Sequence, residues 1–129
     1  MRGALRLGLR SGERIYINGA VLRVDRRVRL ELLNDATFLL EAHVMKPEEV
    51  TSPMRRLYFL IQSVLMDPRL KETLCPAIAT SIDLLLKDTG DDITARSLGE
   101  VQRALGDGSY FNALKNLRTL MKEGECEPA

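Results

Sequence analysis

The hydrophobic pattern of this chain changes period near residue 47, and that change dictates most of what it can fold into. Before it, apolar and polar residues alternate. Leu5, Leu7 and Leu9 alternate with Arg6, Gly8 and Arg10; Ile15 and Ile17 with Arg14, Tyr16 and Asn18; Val28, Leu30 and Leu32 with Arg27, Arg29 and Glu31. A period of two sends successive side chains to opposite sides, so each run predicts a strand with one apolar and one polar face. Turn residues divide the runs. Ser11-Gly12 separates the first two, Asp25-Arg26 is a weaker break, and Asn34-Asp35 precedes a last apolar run, Thr37-Phe38-Leu39-Leu40. Asn18-Gly19 is the strongest of these signals, because both residues tolerate the positive φ of a two-residue hairpin. Four to five short antiparallel strands are predicted.

After Pro47 the period becomes helical. Ser52-Pro53 supplies an N-cap and a proline at the first helical position, ahead of Leu57, Phe59, Leu60, Ile61, Val64 and Leu65. Asp67-Pro68 repeats that start signal. The next helix carries Leu70, Leu74, Ile78, Ile82, Leu85 and Leu86, and Pro76 inside it is expected to kink or split it, having no N–H for the ladder. A third helix is predicted over residues 94–105 and a fourth from Ser109, on either side of Gly106-Asp107-Gly108. Short connections of this kind join packed neighbours. The fold class is therefore α+β: an antiparallel β subdomain over residues 1–46, a bundle of about four helices over 47–125, and a fraying tail at 126–129.

Charge divides the chain at the same place. Eight arginines and two carboxylates occupy the first 29 residues, for a formal charge near +6, while the remainder is near −5; the overall +1 conceals this polarity. Alternation puts Arg6 and Arg10 opposite the leucines of the first run, and Arg27 and Arg29 opposite Val28 and Leu30. If those strands are neighbours, four guanidiniums share one surface, with Arg14 and Tyr16 as supporting members. Guanidinium forks match phosphate oxygens bidentately and stack on unpaired bases, and Tyr16 would add a stacking platform. The bland alternative is a solvated strand face on which arginine discourages edge-to-edge pairing. The use of Arg throughout, with no Lys in the segment, favours binding. RNA is the first anionic polymer to consider. A DNA reader is disfavoured, since the helices are acidic overall and offer no basic recognition face.

Other chemistry is sparse. His43 is the single histidine and reads as a strand-end or linker residue rather than a metal ligand. Asp88, Asp91 and Asp92 read as a helix-cap loop. Phosphate-loop, nucleophile-elbow and dinucleotide signatures are absent, so neither an enzyme nor a cofactor is expected. Cys75 and Cys126 have no metal-type spacing, which suits a reduced, cytoplasmic chain. No run approaches the ~20 apolar residues of a membrane span. Tyr58-Phe59 and Tyr110-Phe111 are adjacent aromatics, which a helix points about 100° apart. They imply either a wide buried face or one ring of each pair at an interface. A homodimer is the default assembly, a higher oligomer the alternative.

The residues also carry a resemblance. Gly12-Glu13-Arg14, Ile17-Asn18-Gly19-Ala20-Val21, Asn34-Asp35-Ala36, Pro47-Glu48-Glu49, Pro53 with Arg56-Leu57-Tyr58-Phe59, Asp67-Pro68, and Tyr110-Phe111 with Ala113-Leu114-Lys115 and Leu117-Arg118 form an ordered set across nearly the whole chain. In this the chain resembles the FlbT family of flagellum-biosynthesis repressor proteins from alphaproteobacteria. The resemblance implies a post-transcriptional regulator that associates with the 5′ untranslated leader of flagellin mRNA, represses its translation or promotes its decay, and is linked to other flagellar assembly regulators. The competing expectation is a protein–protein adaptor of flagellar assembly or export that affects flagellin expression indirectly. The first 45 residues are also similar to the carbon storage regulator, a small β-rich mRNA-binding protein, in Arg10, Gly12, Glu13, Val28-Arg29-Leu30 and Asn34; His43 stands near where that protein would have arginine.

Overall fold

Strands precede helices, as the change of period dictates, in a computed structural model that describes residues 5–33 and 38–125. The strands are β1 (Leu5–Leu9), β2 (Arg14–Ile17), β3 (Ala20–Arg23), β4 (Val28–Leu32) and β5 (Phe38–Leu40). The helices are α1 (Pro53–Met66), α2 (Lys71–Asp88), α3 (Asp92–Gly106) and α4 (Tyr110–Glu125). The Asn34-Asp35 turn and the 126–129 tail lie outside the described residues.

The strands form two sheets, β1-β4 and β3-β2-β5, with antiparallel pairing throughout. Asn18-Gly19 makes the β2–β3 hairpin with φ of 50° and 86°, the positive values a two-residue loop needs. Gly12, with φ 86°, ends the turn from β1 into β2. Its N–H donates to the Val24 carbonyl while the Val24 N–H donates to the Glu13 carbonyl, so two residues oppose one in a glycine bulge that re-aims the chain between the sheets.

Two apolar clusters follow from this layering. Leu7, Leu9, Ile15 and Phe38 fill the space between the sheets, with Val28, Leu30 and Leu32 partly buried beside them. Tyr16, Leu39 and Met45 join the larger core, which holds Leu57, Tyr58, Ile61, Leu65, Ile82, Leu98, Val101, Leu114 and Leu117 from the helices. β2 and β5 are therefore a middle layer, covered by β1-β4 on one side and by helices on the other, while β3 is exposed along its length.

This layering corrects the expectation that every strand has a polar face. β2 and β5 are buried on both sides. Tyr16 in particular is 9% exposed and packs in the helical core, where it cannot serve as a stacking platform. The adjacent aromatics of α4 use the same arrangement: Tyr110 packs in the helical core, while Phe111 reaches the inter-sheet cluster and stacks on Phe38 with ring centroids 4.5 Å apart. The wide buried face is thus the correct reading of that pair.

The caps match the sequence signals. The Ser52 side chain accepts from Arg55 N–H at 3.2 Å, and Asp91 accepts from the Ile93 and Thr94 amides and from the Thr94 hydroxyl. Those bonds hold the Asp91 carboxyl below the usual carboxylate range, with the Thr94 hydroxyl the largest cause. Asp67 starts a short 3-10 turn, Pro68–Leu70, that runs on into α2. α2 is not split at Pro76. The proline is the sixth residue of that helix, so only the Glu72 carbonyl loses its partner, at an exposed position open to water.

Candidate nucleic-acid interface

β1 and β4 are neighbours, and their register decides which arginines meet. Leu7 pairs with Leu30 and Leu9 with Val28 on the inner side; Arg6 pairs with Glu31 and Gly8 with Arg29 on the outer side. Arg10 follows β1 and Arg27 precedes β4, each one residue beyond the paired stretch. Arg6, Gly8, Arg10, Arg27, Arg29 and Glu31 are all exposed. Arg6 and Arg29 therefore stem from one face of a two-stranded ladder, where directly opposed Cα atoms are about 4.5–5.5 Å apart, and Arg10 and Arg27 are exposed just past its end.

One acid tempers this face. Arg6 Nε lies 3.4 Å from a Glu31 carboxylate oxygen, with the two side chains 72% and 46% exposed. An exposed pair of this kind contributes about 0–1 kcal/mol, so Arg6 is easily drawn to a stronger anion. Among the described residues, Arg10, Arg27 and Arg29 have no carboxylate within ion-pairing distance. Like charges directly across a ladder destabilise it. Crowding of Arg10, Arg27 and Arg29 at this end of the ladder is of that kind, and a bound polyanion would relieve it.

Arg14 does not belong to this face. It lies on β2 in the other sheet, opposite Arg23 and on the same side as Tyr16. Both arginines are exposed, and the Arg14 N–H donates to the Glu41 carboxylate at 2.7 Å. Arg26 is turned toward Asp25 at 3.2 Å. The basic segment is therefore divided: Arg6 and Arg29 on the outer sheet face with Arg10 and Arg27 at its end, and an Arg14–Arg23 pair in the other sheet.

Two positioning devices were not apparent from the sequence. Gln62, 3% exposed, accepts from the Met45 N–H and donates to the Met45 carbonyl, both at 2.7 Å. It thereby clamps the segment between β5 and α1 onto α1. Its only sequence signal is a polar residue one turn after Tyr58 on the buried stripe. The second device centres on Tyr58, whose hydroxyl donates to the His43 carbonyl at 2.6 Å and accepts from Arg118 Nη1 at 3.1 Å. Burial raises the Tyr58 pKa, opposed by the Arg118 bond, and burial with the nearby Arg118 charge lowers that of His43. His43 itself sits in a 3-10 turn after β5. Among the described residues no group of acids, cysteines and histidine is arranged to hold a metal ion.

A second surface feature is an open groove of about 760 Å³ between the start of α1 and α2, lined by Pro53, Arg56, Leu60, Pro76, Thr80 and Leu84 among others. Leu84 is 61% exposed there. Among the described residues no helix is long and apolar enough to cross a membrane.

The model of the family described as "Flagellar protein FlbT" matches residues 5–126. A relative from Allorhizobium ampelinum is 48% identical over 120 residues, covering 93% of this chain and 80% of its own. One from Agrobacterium fabrum is 45% identical over the same shares. A third, from Brucella anthropi, is 48% identical over 115 residues, covering 89% of this chain and 76% of its own. All three are named probable flagellum biosynthesis repressor protein FlbT. No solved structure matches.

Proposed function

The chain belongs to the FlbT family of flagellar proteins, and on that premise we propose that it represses flagellum biosynthesis at the level of the message. It binds the 5′ untranslated leader of flagellin mRNA in the cytoplasm and lowers translation or stability of that message, without catalysis of its own. The names of the relatives supply the repressor role. The observation that supports RNA as the target is the outer side of β1-β4, which gathers Arg6 and Arg29 with Arg10 and Arg27 at its end, three of the four having no acid partner among the described residues.

Four guanidiniums on single-stranded phosphates give a slope of log K against log salt of roughly −3. Titration of a flagellin leader RNA at several salt concentrations tests this directly. Replacing the four arginines by alanine should flatten the slope and abolish binding while the helical circular dichroism persists. Binding that is absent, or insensitive to salt, refutes the reading. The adaptor alternative draws on the groove between α1 and α2: an exposed Leu84 beside uncharged Pro76 and Thr80 suits a protein contact. It gains if Leu84→Asp, and not the arginine variants, relieves repression in cells. Other flagellar assembly regulators would be the partners on that reading.

A further inference from the structure

Gly8 has no structural reason to be glycine. It occupies the middle of β1, between Leu7 and Leu9, and its φ is not among the positive values found at Gly12, Gly19 and Gly108. A Cβ built at Gly8 meets no atom within 4 Å. Neither backbone conformation nor packing therefore excludes a side chain, and glycine weakens a strand interior that Val or Thr would strengthen. The register through Gly8 is unbroken, so no bulge calls for it either, and close approach by another molecule is a further reason for glycine within a strand.

The surroundings of Gly8 specify what approaches. Directly across the ladder is Arg29. Arg6 and Arg10 flank Gly8 on its own strand at about 7 Å to either side, two residues of strand rise each way. Glu31 and the Arg27 position lie diagonally across. The result is a bare stretch of peptide with arginines at the neighbouring positions on three sides: Arg6, whose guanidinium meets Glu31, Arg10 and Arg29. A mat of positive charge that served only to attract phosphates would not need the bare stretch. A bare stretch of this kind admits a flat ring against the backbone, with a guanidinium plane beside it to stack on.

The geometry points to a nucleotide slot: Gly8 receives one unpaired RNA base, stacked on the Arg29 guanidinium, while Arg6 and Arg10 hold the phosphates on either side. This deepens the RNA-binding reading above and rests on it. It also narrows the ligand class to single-stranded or looped RNA, since a base within a duplex cannot leave its stack without cost.

The test uses the full chain, a short mixed-sequence single-stranded RNA, and the same strand annealed to its complement. Wild type should prefer the single strand. Gly8→Val removes no charge and favours the strand, so its thermal midpoint should equal or exceed that of wild type. Its affinity for the single strand should nevertheless fall tenfold or more, with the salt slope unchanged and the weak duplex binding unaffected. Arg29→Ala should lower both affinity and slope. Gly8→Val binding as well as wild type overturns the slot while leaving the RNA-binding reading intact. Wild type that fails to bind either RNA overturns both. If Gly8→Val alters the sedimentation of the RNA-free protein, the notch is a contact between protein chains and the slot is wrong.

Discussion

Replacing Gln62 by alanine should uncouple the strands from the helices more than any other single polar substitution. In the folded chain the Gln62 amide satisfies both backbone groups of Met45, a residue 8% exposed, through two bonds of 2.7 Å. Truncation strands one buried N–H and one buried carbonyl, each costing about 1–3 kcal/mol. Partial relaxation and water entry offset some of this, which leaves a net loss of about 3 kcal/mol. With an unfolding entropy of ~2.1 cal/mol/K per residue, that lowers the Tm of a chain this size by about 10 °C. Thermal unfolding gives the magnitude, and amide exchange gives the location: the Met45 N–H should lose protection before the α1 amides do. Gln62→Met retains volume and isolates the polar part, so it should recover only the packing portion. Gln62→Glu makes the sharper check. As a carboxylate it would face the Met45 carbonyl oxygen; protonated, it can donate to it. Its folded pKa should therefore be raised, so the variant approaches wild type in acid and loses stability as pH rises above the unfolded value near 4.3. A Gln62→Ala loss below about 1 kcal/mol, or unchanged Met45 exchange, would refute the clamp.

Three further outcomes are expected. Gly19→Ala must hold φ at 86° and bring a Cβ to 3.1 Å from Pro68 Cδ, so it should cost about 1–2 kcal/mol from backbone strain, plus any shift at the α1–α2 connection; denaturant unfolding checks this, and a neutral effect would show that the hairpin tip can move away from Pro68. Glu31→Gln frees Arg6 and should tighten RNA binding and steepen its salt dependence, with little change in stability; weaker binding would mean that Glu31 positions Arg6 rather than restrains it. His43 has its pKa lowered in the fold, by burial first and by Arg118 second, so the unfolded chain binds the proton more readily and stability should decline as pH falls below the ordinary value of 6.5. His43→Gln should flatten that acid limb in a series of Tm measurements, and an unchanged limb would assign it to other groups.

Much of the fold was legible because its signals are local. Asn18-Gly19 marks its hairpin through positive φ, and Ser52-Pro53 and Asp91 mark their helices by capping. What the sequence concealed was which layer covers which. Tyr16 sits at a polar-looking position of β2, but tyrosine suits a buried face as readily as a wet one, and the run Arg14-Ile15-Tyr16-Ile17 does not distinguish them. The informative segment was β5. Its unbroken Phe38-Leu39-Leu40 has no polar alternation, as in a strand covered on both faces, and Tyr16 pairs with Leu39 in the register. The candidate site was half legible for a related reason. Alternation fixed the side from which each arginine projects, and the Asn18-Gly19 loop fixes Arg14 opposite Arg23, whereas the pairing of β1 with β4 depends on long-range register that no local pattern encodes.

The location of the arginine face also explains why a regulator of this size needs its helices. A two-stranded ladder is marginal alone, and this one carries Arg6 and Arg29 with Arg10 and Arg27 at its end. Its order must come from the inner side, where Leu7, Leu9, Val28 and Leu30 pack on Ile15 and Phe38. That cluster is closed by Phe111 of α4, stacked on Phe38, while the next residue back, Tyr110, is anchored among the helices. One turn of α4 thus ties the least covered layer to the most buried one. The basic face can accumulate repulsion because the apolar helical core, on the far side of the middle sheet, holds it in place.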